Sequence, residues 1–143
     1  MTSISLSDFP NSITEPFFIT SPETNSYNCI AWAFGDDTKW YWPENFFYWP
    51  SNIRRKLDIQ SFIELYQLIG YEICENSNHE IETEKVAIFT SQDGLPTHAA
   101  RQLPNGNWTS KMGQWHDVEH TLNSMNNSKP YGNSTVIMCR KRS

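Results

Sequence analysis

Two side chains in this sequence have the type and setting for nucleophilic chemistry. Cys29 sits in Ser26-Tyr27-Asn28-Cys29-Ile30-Ala31-Trp32-Ala33, directly behind a Ser/Asn capping pair that opens a short apolar helix. Free backbone N–H groups and the positive end of the helix dipole at such a tip favour a thiolate. His98 sits in Leu95-Pro96-Thr97-His98-Ala99-Ala100-Arg101, whose alternation predicts a strand. A helix tip packed on that strand lets the two face each other, the sulfur attacking an acyl carbon and the imidazole taking and returning its proton. The N–H of Cys29 and its neighbours would form an oxyanion hole, and Asn28 reads as helix cap rather than transition-state donor, though the two roles are compatible.

A third member has to orient the imidazole. Leu103-Pro104-Asn105-Gly106-Asn107 predicts a type I turn with glycine in the left-handed fourth position, a three-residue hairpin loop with a bulge. That register sets Ala100 opposite Ser110 and His98 opposite Met112, so Ser110 shares the face of His98 one step along. Ser110 is therefore the expected third member. Asp117 is the alternative, because a carboxylate holds imidazole in one tautomer. Trp32, Trp40, Trp42 and Trp108 are the expected substrate-groove residues, Trp40 and Trp42 lying in the aromatic stretch Lys39 to Pro50. Packing alone also accounts for buried aromatics, a buried cysteine and a satisfied strand histidine.

The Asn-Cys helix start, the later strand carrying His98 and its hairpin partner resemble the circularly permuted papain-like fold of NlpC-type and CHAP-type cell-wall amidases. The likeness covers roughly residues 26–115 and rests on short motifs. It implies a Cys–His site, a thioester intermediate and a third polar residue at the position of Ser110, where those families place His, Asn or Gln. A wider likeness, carried by Tyr27 to Ala33, Thr97 to Gln102 and Gly106 to Gly113, is to a family of small bacterial proteins and implies no activity.

The elements that must position these residues follow from local signals. A first helix is expected over 27–34, stopped by Gly35. The clearest helix runs from Asp58 to Ile69, with Ile59, Phe62, Ile63, Tyr66 and Ile69 on one face and Asp58 as cap. Strands are expected over 71–74, 85–90 and 135–140 besides the 97–112 hairpin, and a short helix over 117–125. The resulting fold class is α+β, papain-like, a nucleophile helix packed on an antiparallel sheet of about four or five strands. Residues 1–25 read as an irregular arm anchored by Phe17, Phe18 and Ile19, and 26–143 as one catalytic domain.

The whole-chain properties narrow the function classes. With 143 residues, 14% aromatics and a net charge of −5, one domain with an aromatic core is expected. A pI near 5.3 argues against nucleic acid or an anionic membrane as partner. No signal-like or membrane-spanning run occurs, so the expected location is the cytoplasm, export by a signal-independent route or an effector-type partner remaining open. Cys29, Cys74 and Cys139 are an odd number without metal-type spacing, and no cofactor is expected.

The expected activity is hydrolysis or transfer at an amide, as a peptidase, amidase or deamidase acting on a peptide or other amide-bearing substrate. One alternative is a non-enzymatic binding protein using the Trp/Tyr-rich 39–50 patch. Another is a metal-dependent hydrolase at His116 and His120, four residues apart and on one face if the segment is helical.

Overall fold

The structure is a computed structural model that describes residues 6–142, so residues 1–5 of the expected arm and Ser143 lie outside it. Seven strands form one sheet: β1 (Phe18–Ile19), β2 (Glu72–Cys74), β3 (Thr83–Thr90), β4 (Pro96–Gln102), β5 (Trp108–Lys111), β6 (Asp117–His120) and β7 (Asn133–Lys141). Their order is β1-β6-β5-β4-β3-β7-β2, and every pairing is antiparallel. The helices are short: α1 (Cys29–Phe34), α2 (Ile59–Gln67) and α3 (Leu122–Met125).

This corrects the expected papain-like α+β architecture. The molecule is mostly a seven-stranded antiparallel sheet with little helix, rather than a helix-bearing core on four or five strands. The two-residue β1 and the polar β6, Asp-Val-Glu-His, carry too little apolar pattern to announce themselves. β6 takes half of the segment expected as a helix, and only α3 remains helical.

Local signals act where expected. Asn28 caps α1 by accepting from Ala31 N, and Gly35 ends it in the left-handed conformation at φ 99°. Asp58 caps α2 through Ser61 N at 2.8 Å. The turn from Leu103 to Gly106 closes with Gly106 N donating to Leu103 O at 2.9 Å, and Gln102 and Arg101 pair with Trp108 and Thr109 in the expected register.

Alternation along the strands gives the sheet two apolar faces. One face, with Val86, Ile88, Ala99 and Met138, packs under α1 and α2 against Ile30, Phe62, Leu65 and Tyr66. The other, with Ala87, Phe89, Ala100, Trp108, Met112 and Val118, is covered by α3 and by Phe9 and Phe17 of the N-terminal arm. Phe17 anchors the arm as expected and Phe9 joins it, whereas Phe18 and Ile19 are exposed on edge strand β1. No helix among the described residues is long and apolar enough to cross a membrane.

Candidate active site

The side chains of Cys29 and His98 arise on opposite faces of the sheet. Cys29 belongs to the cluster under α1 that includes Ala99. His98, one residue back on β4, projects the other way, where its ring packs on Phe89 and stacks on Tyr131 at 4.0 Å between centroids. The sheet is opened at this point: the β4–β5 ladder comprises only Arg101 with Thr109 and Gln102 with Trp108, next to the turn. α1 packs across β4 and β5, and the Ala99 N–H reaches the Cys29 sulfur. Tyr131 joins the two sides, because it also lines the cavity of about 270 Å3 into which Cys29 opens.

His98 is fully buried, and its two nitrogens are in different situations. Nε2 lies 2.9 Å from Ser110 Oγ, and Nδ1 has no partner. Ser110 Oγ in turn lies 2.7 Å from His120 Nε2, and His120 Nδ1 lies 2.6 Å from the Thr121 carbonyl. The carbonyl can only accept, so His120 carries its proton on Nδ1. Burial lowers the His120 pKa to about 4, so the ring is neutral at neutral pH and Nε2 must accept from the Ser110 hydroxyl. Ser110 then accepts from His98 Nε2–H. Burial first, and His120 second, hold His98 well below its ordinary value, which leaves Nδ1 as a bare lone pair. One backbone carbonyl thus fixes the tautomer of a histidine two side chains away.

The thiol behaves differently from the sequence expectation. Burial pushes the Cys29 pKa up to about 11, outweighing the lowering by the backbone amides of Ala99, Ile30 and Cys29 and by the Lys111 charge. The resting pair is therefore neutral thiol and neutral imidazole. No hydrogen bond joins Cys29 to His98 in the free protein.

The other expected residues divide sharply. Ser110 contacts His98 as its register requires. Asp117 is on the opposite face, where its Oδ2 accepts from Tyr27 Oη at 2.7 Å, so it does not orient the imidazole. Asn28 is committed elsewhere: Oδ1 accepts from Ala31 N at 3.1 Å and Tyr41 N at 3.0 Å, while Nδ2 donates to Tyr41 O at 2.7 Å. It caps the helix and fastens the aromatic loop.

Trp40 and Trp42 line the Cys29 cavity with Phe47 and Thr97. Trp32 instead rests on Tyr27 and donates to Thr109 Oγ1 at 3.0 Å, and Trp108 is buried in the core of the far face. For the metal alternative, β6 is extended rather than helical, both ring nitrogens of His120 are engaged, and His116 Nδ1 is bonded to Ser21 O. Among the described residues no group of three His, Cys, Asp or Glu side chains could hold a metal ion.

Three contributors went unread in the sequence. His120 reaches the site because β6 pairs with β5, Trp108 opposite His120 and Ser110 opposite Val118, which sets the ring beside Ser110. Tyr131 arrives from the loop before β7. Lys111 is fully buried, its ammonium donating to the carbonyls of Thr24 (2.6 Å), Gly113 (2.7 Å) and Trp115 (2.6 Å). Of these, only His120 drew notice in the sequence, and then as a metal ligand beside His116 rather than as a partner of Ser110.

No curated protein and no solved structure matches this chain. A family profile does match, over residues 18–139, which takes in the first six strands, all but the last two residues of β7, the Cys29 helix and the His98–Ser110–His120 chain. The protein belongs to the family described as Domain of unknown function (DUF7689).

Proposed function

We propose that the protein is a thiol-dependent acyl-transfer enzyme, a hydrolase or transferase acting on an amide, with Cys29 as nucleophile and His98 as general base. The observation that carries this reading is the lone pair on His98 Nδ1, fully buried and without a partner, in a tautomer fixed by Ser110, His120 and the Thr121 carbonyl. A buried acceptor left unsatisfied costs roughly 1–3 kcal/mol, which a purely structural histidine avoids by pairing. A general base needs that lone pair free.

Attack forms the sulfur–carbon bond of a thioester as the thiol proton passes to Nδ1. The protonated imidazole then gives that proton to the leaving amine, and water or a second nucleophile releases the acyl group. Because the resting thiol is neutral, proton removal accompanies attack rather than preceding it. Cys29 and His98 are unbonded and on opposite faces in the free protein, so this step requires the two to approach across the unpaired stretch between β4 and β5 when substrate binds.

The rival reading is a binding protein whose Cys29 is inert. Its support is the high thiol pKa and the exposed aromatic loop, in which the Phe46 side chain is 96% exposed. Incubation with p-nitrophenyl acetate separates the two. The enzyme reading expects an acetyl group on Cys29 in the intact-protein mass spectrum, absent in Cys29→Ala and formed about 100-fold more slowly in His98→Ala. Acetylation no faster than at Cys74 and Cys139 supports the binder.

A further inference from the structure

The Cys29 cavity continues into a second one. The larger, about 500 Å3, is lined by Phe9, Met112, Trp115 and Pro130 with Asp8 at its rim. The smaller, about 270 Å3, holds Cys29, Trp42, Phe47 and Glu44. Trp40, Gly113 and Tyr131 line both, so the two are lobes of one groove. The sulfur lies in only one lobe, which places a reacting carbonyl there and leaves the larger lobe for a flanking part of the same ligand.

The charges of the two lobes agree. Each carries one carboxylate, Asp8 or Glu44, and among the described residues no lysine or arginine lines either lobe. The cations Lys111 and Arg55 lie behind the lining and already donate to the carbonyls of Gly113, Trp115, Glu44 and Phe47, so an anionic ligand group meets the lining carboxylates first. An apolar or aromatic group fits the larger lobe, where desolvation favours it and the exposed Trp115 ring can pack on it.

The geometry points to a substrate class: an extended peptide in which a bulky apolar side chain fills the Phe9–Trp115 lobe while the adjacent carbonyl lies at Cys29, with peptides acidic at that position rejected. This inference rests on the thiol reading above and narrows it, since composition and resemblance leave every amide equally open.

Two chloromethyl ketones, of N-acetyl-phenylalanine and of N-acetyl-aspartate, test it on the intact chain. Each alkylates a thiol with loss of chloride, and its rate at Cys29 is read by peptide mass mapping and divided by its rate on free cysteine. The phenylalanine reagent should be favoured about tenfold or more, the discrimination an apolar pocket supplies. Trp115→Ala should shrink that preference several-fold, and the double variant Asp8→Asn, Glu44→Gln should raise the relative rate of the aspartate reagent. Equal normalised rates, or a preference indifferent to Trp115→Ala, would overturn the substrate class.

A second readout needs no reactive sulfur: N-acetyl-phenylalanine amide should quench tryptophan emission saturably in Cys29→Ala, and the aspartate amide should not. Quenching of that kind without p-nitrophenyl acetate acylation retains the groove and removes the enzyme. Acylation without selectivity retains the enzyme and removes the groove.

Discussion

The Ser110 hydroxyl donates to His120 Nε2 across 2.7 Å, and that direction is imposed from beyond the ring by the Thr121 carbonyl. Ser110→Ala therefore removes a hydroxyl that accepts from one buried imidazole while donating to another. Each imidazole left unsatisfied costs roughly 1–3 kcal/mol, so the midpoint of urea denaturation should fall clearly. Cys29 acylation, measured where the variant is folded, should slow by about tenfold or more as His98 loses its fixed tautomer. An unchanged rate in a destabilised protein would assign Ser110 to packing alone.

Acidification acts through His120. Its folded pKa, about 4, lies below the ordinary 6.5, so the unfolded chain takes up a proton that the native state refuses. This histidine's contribution is present above pH 6.5 and is lost as pH falls through about 4. The loss is on the order of 3 kcal/mol, at 1.36 kcal/mol per pKa unit. His98, also depressed by burial, adds to the loss in the same direction. Denaturation curves taken between neutral pH and about pH 4 check this, and His120→Gln should flatten the slope. Protonated His120 would also have to donate to Ser110, reversing the chain and placing a proton on His98 Nδ1. Acylation should therefore fall in the same acid range.

Asn28 satisfies three backbone groups with one amide. Asn28→Ala removes the α1 cap, worth about 0.5–2 kcal/mol, and leaves Tyr41 N and O without their partner at about 1–3 kcal/mol for each buried group. Asn28→Asp keeps both acceptor contacts and sets a carboxylate oxygen against the Tyr41 carbonyl, which accepts from Nδ2 in the native protein. Thermal melting should rank the native chain above Asn28→Asp, and that above Asn28→Ala. Equal loss in both variants would mean that the cap and the Tyr41 N contact contribute little.

Lys111 holds the arm to the β5–β6 turn, its three donors each taken by a carbonyl, those of Thr24, Gly113 and Trp115. Lys111→Met should cost on the order of 3 kcal/mol, since buried carbonyls lose a charged donor. Limited proteolysis should then cut first near Thr24 or Gly113, as local opening precedes global unfolding. Cutting confined to the 39–50 loop would show that the arm is held by Phe9 and Phe17 instead.

The parts legible in the sequence are those set by neighbours in the chain. Asn28, Gly35 and Asp58 end their helices by contacts within a turn, and Pro104 to Gly106 sets a register that brings Ser110 to His98. The misreadings all needed distant partners. β6 is a strand because β5 and β1 pair with it, and its four residues suit a helix equally well. Asn28 reads as the cap that it is, but the contacts of its amide with Tyr41 N and O depend on a loop thirteen residues on. The Cys29 thiol has the capping pattern that favours a thiolate, yet burial between helix and sheet dominates, and burial is a property of the assembled core.

The short β4–β5 ladder turns the sheet into a septum with a slit. On one side a thiol opens to the aromatic groove, and on the other an imidazole lies among apolar side chains, its far nitrogen tied to a chain that ends on main-chain oxygen. Such a partition shields the imidazole from bulk water while the sulfur faces the groove. Its aperture is set by where two strands stop pairing, so substitutions that extend the ladder by one residue pair could silence the site without touching any group in it.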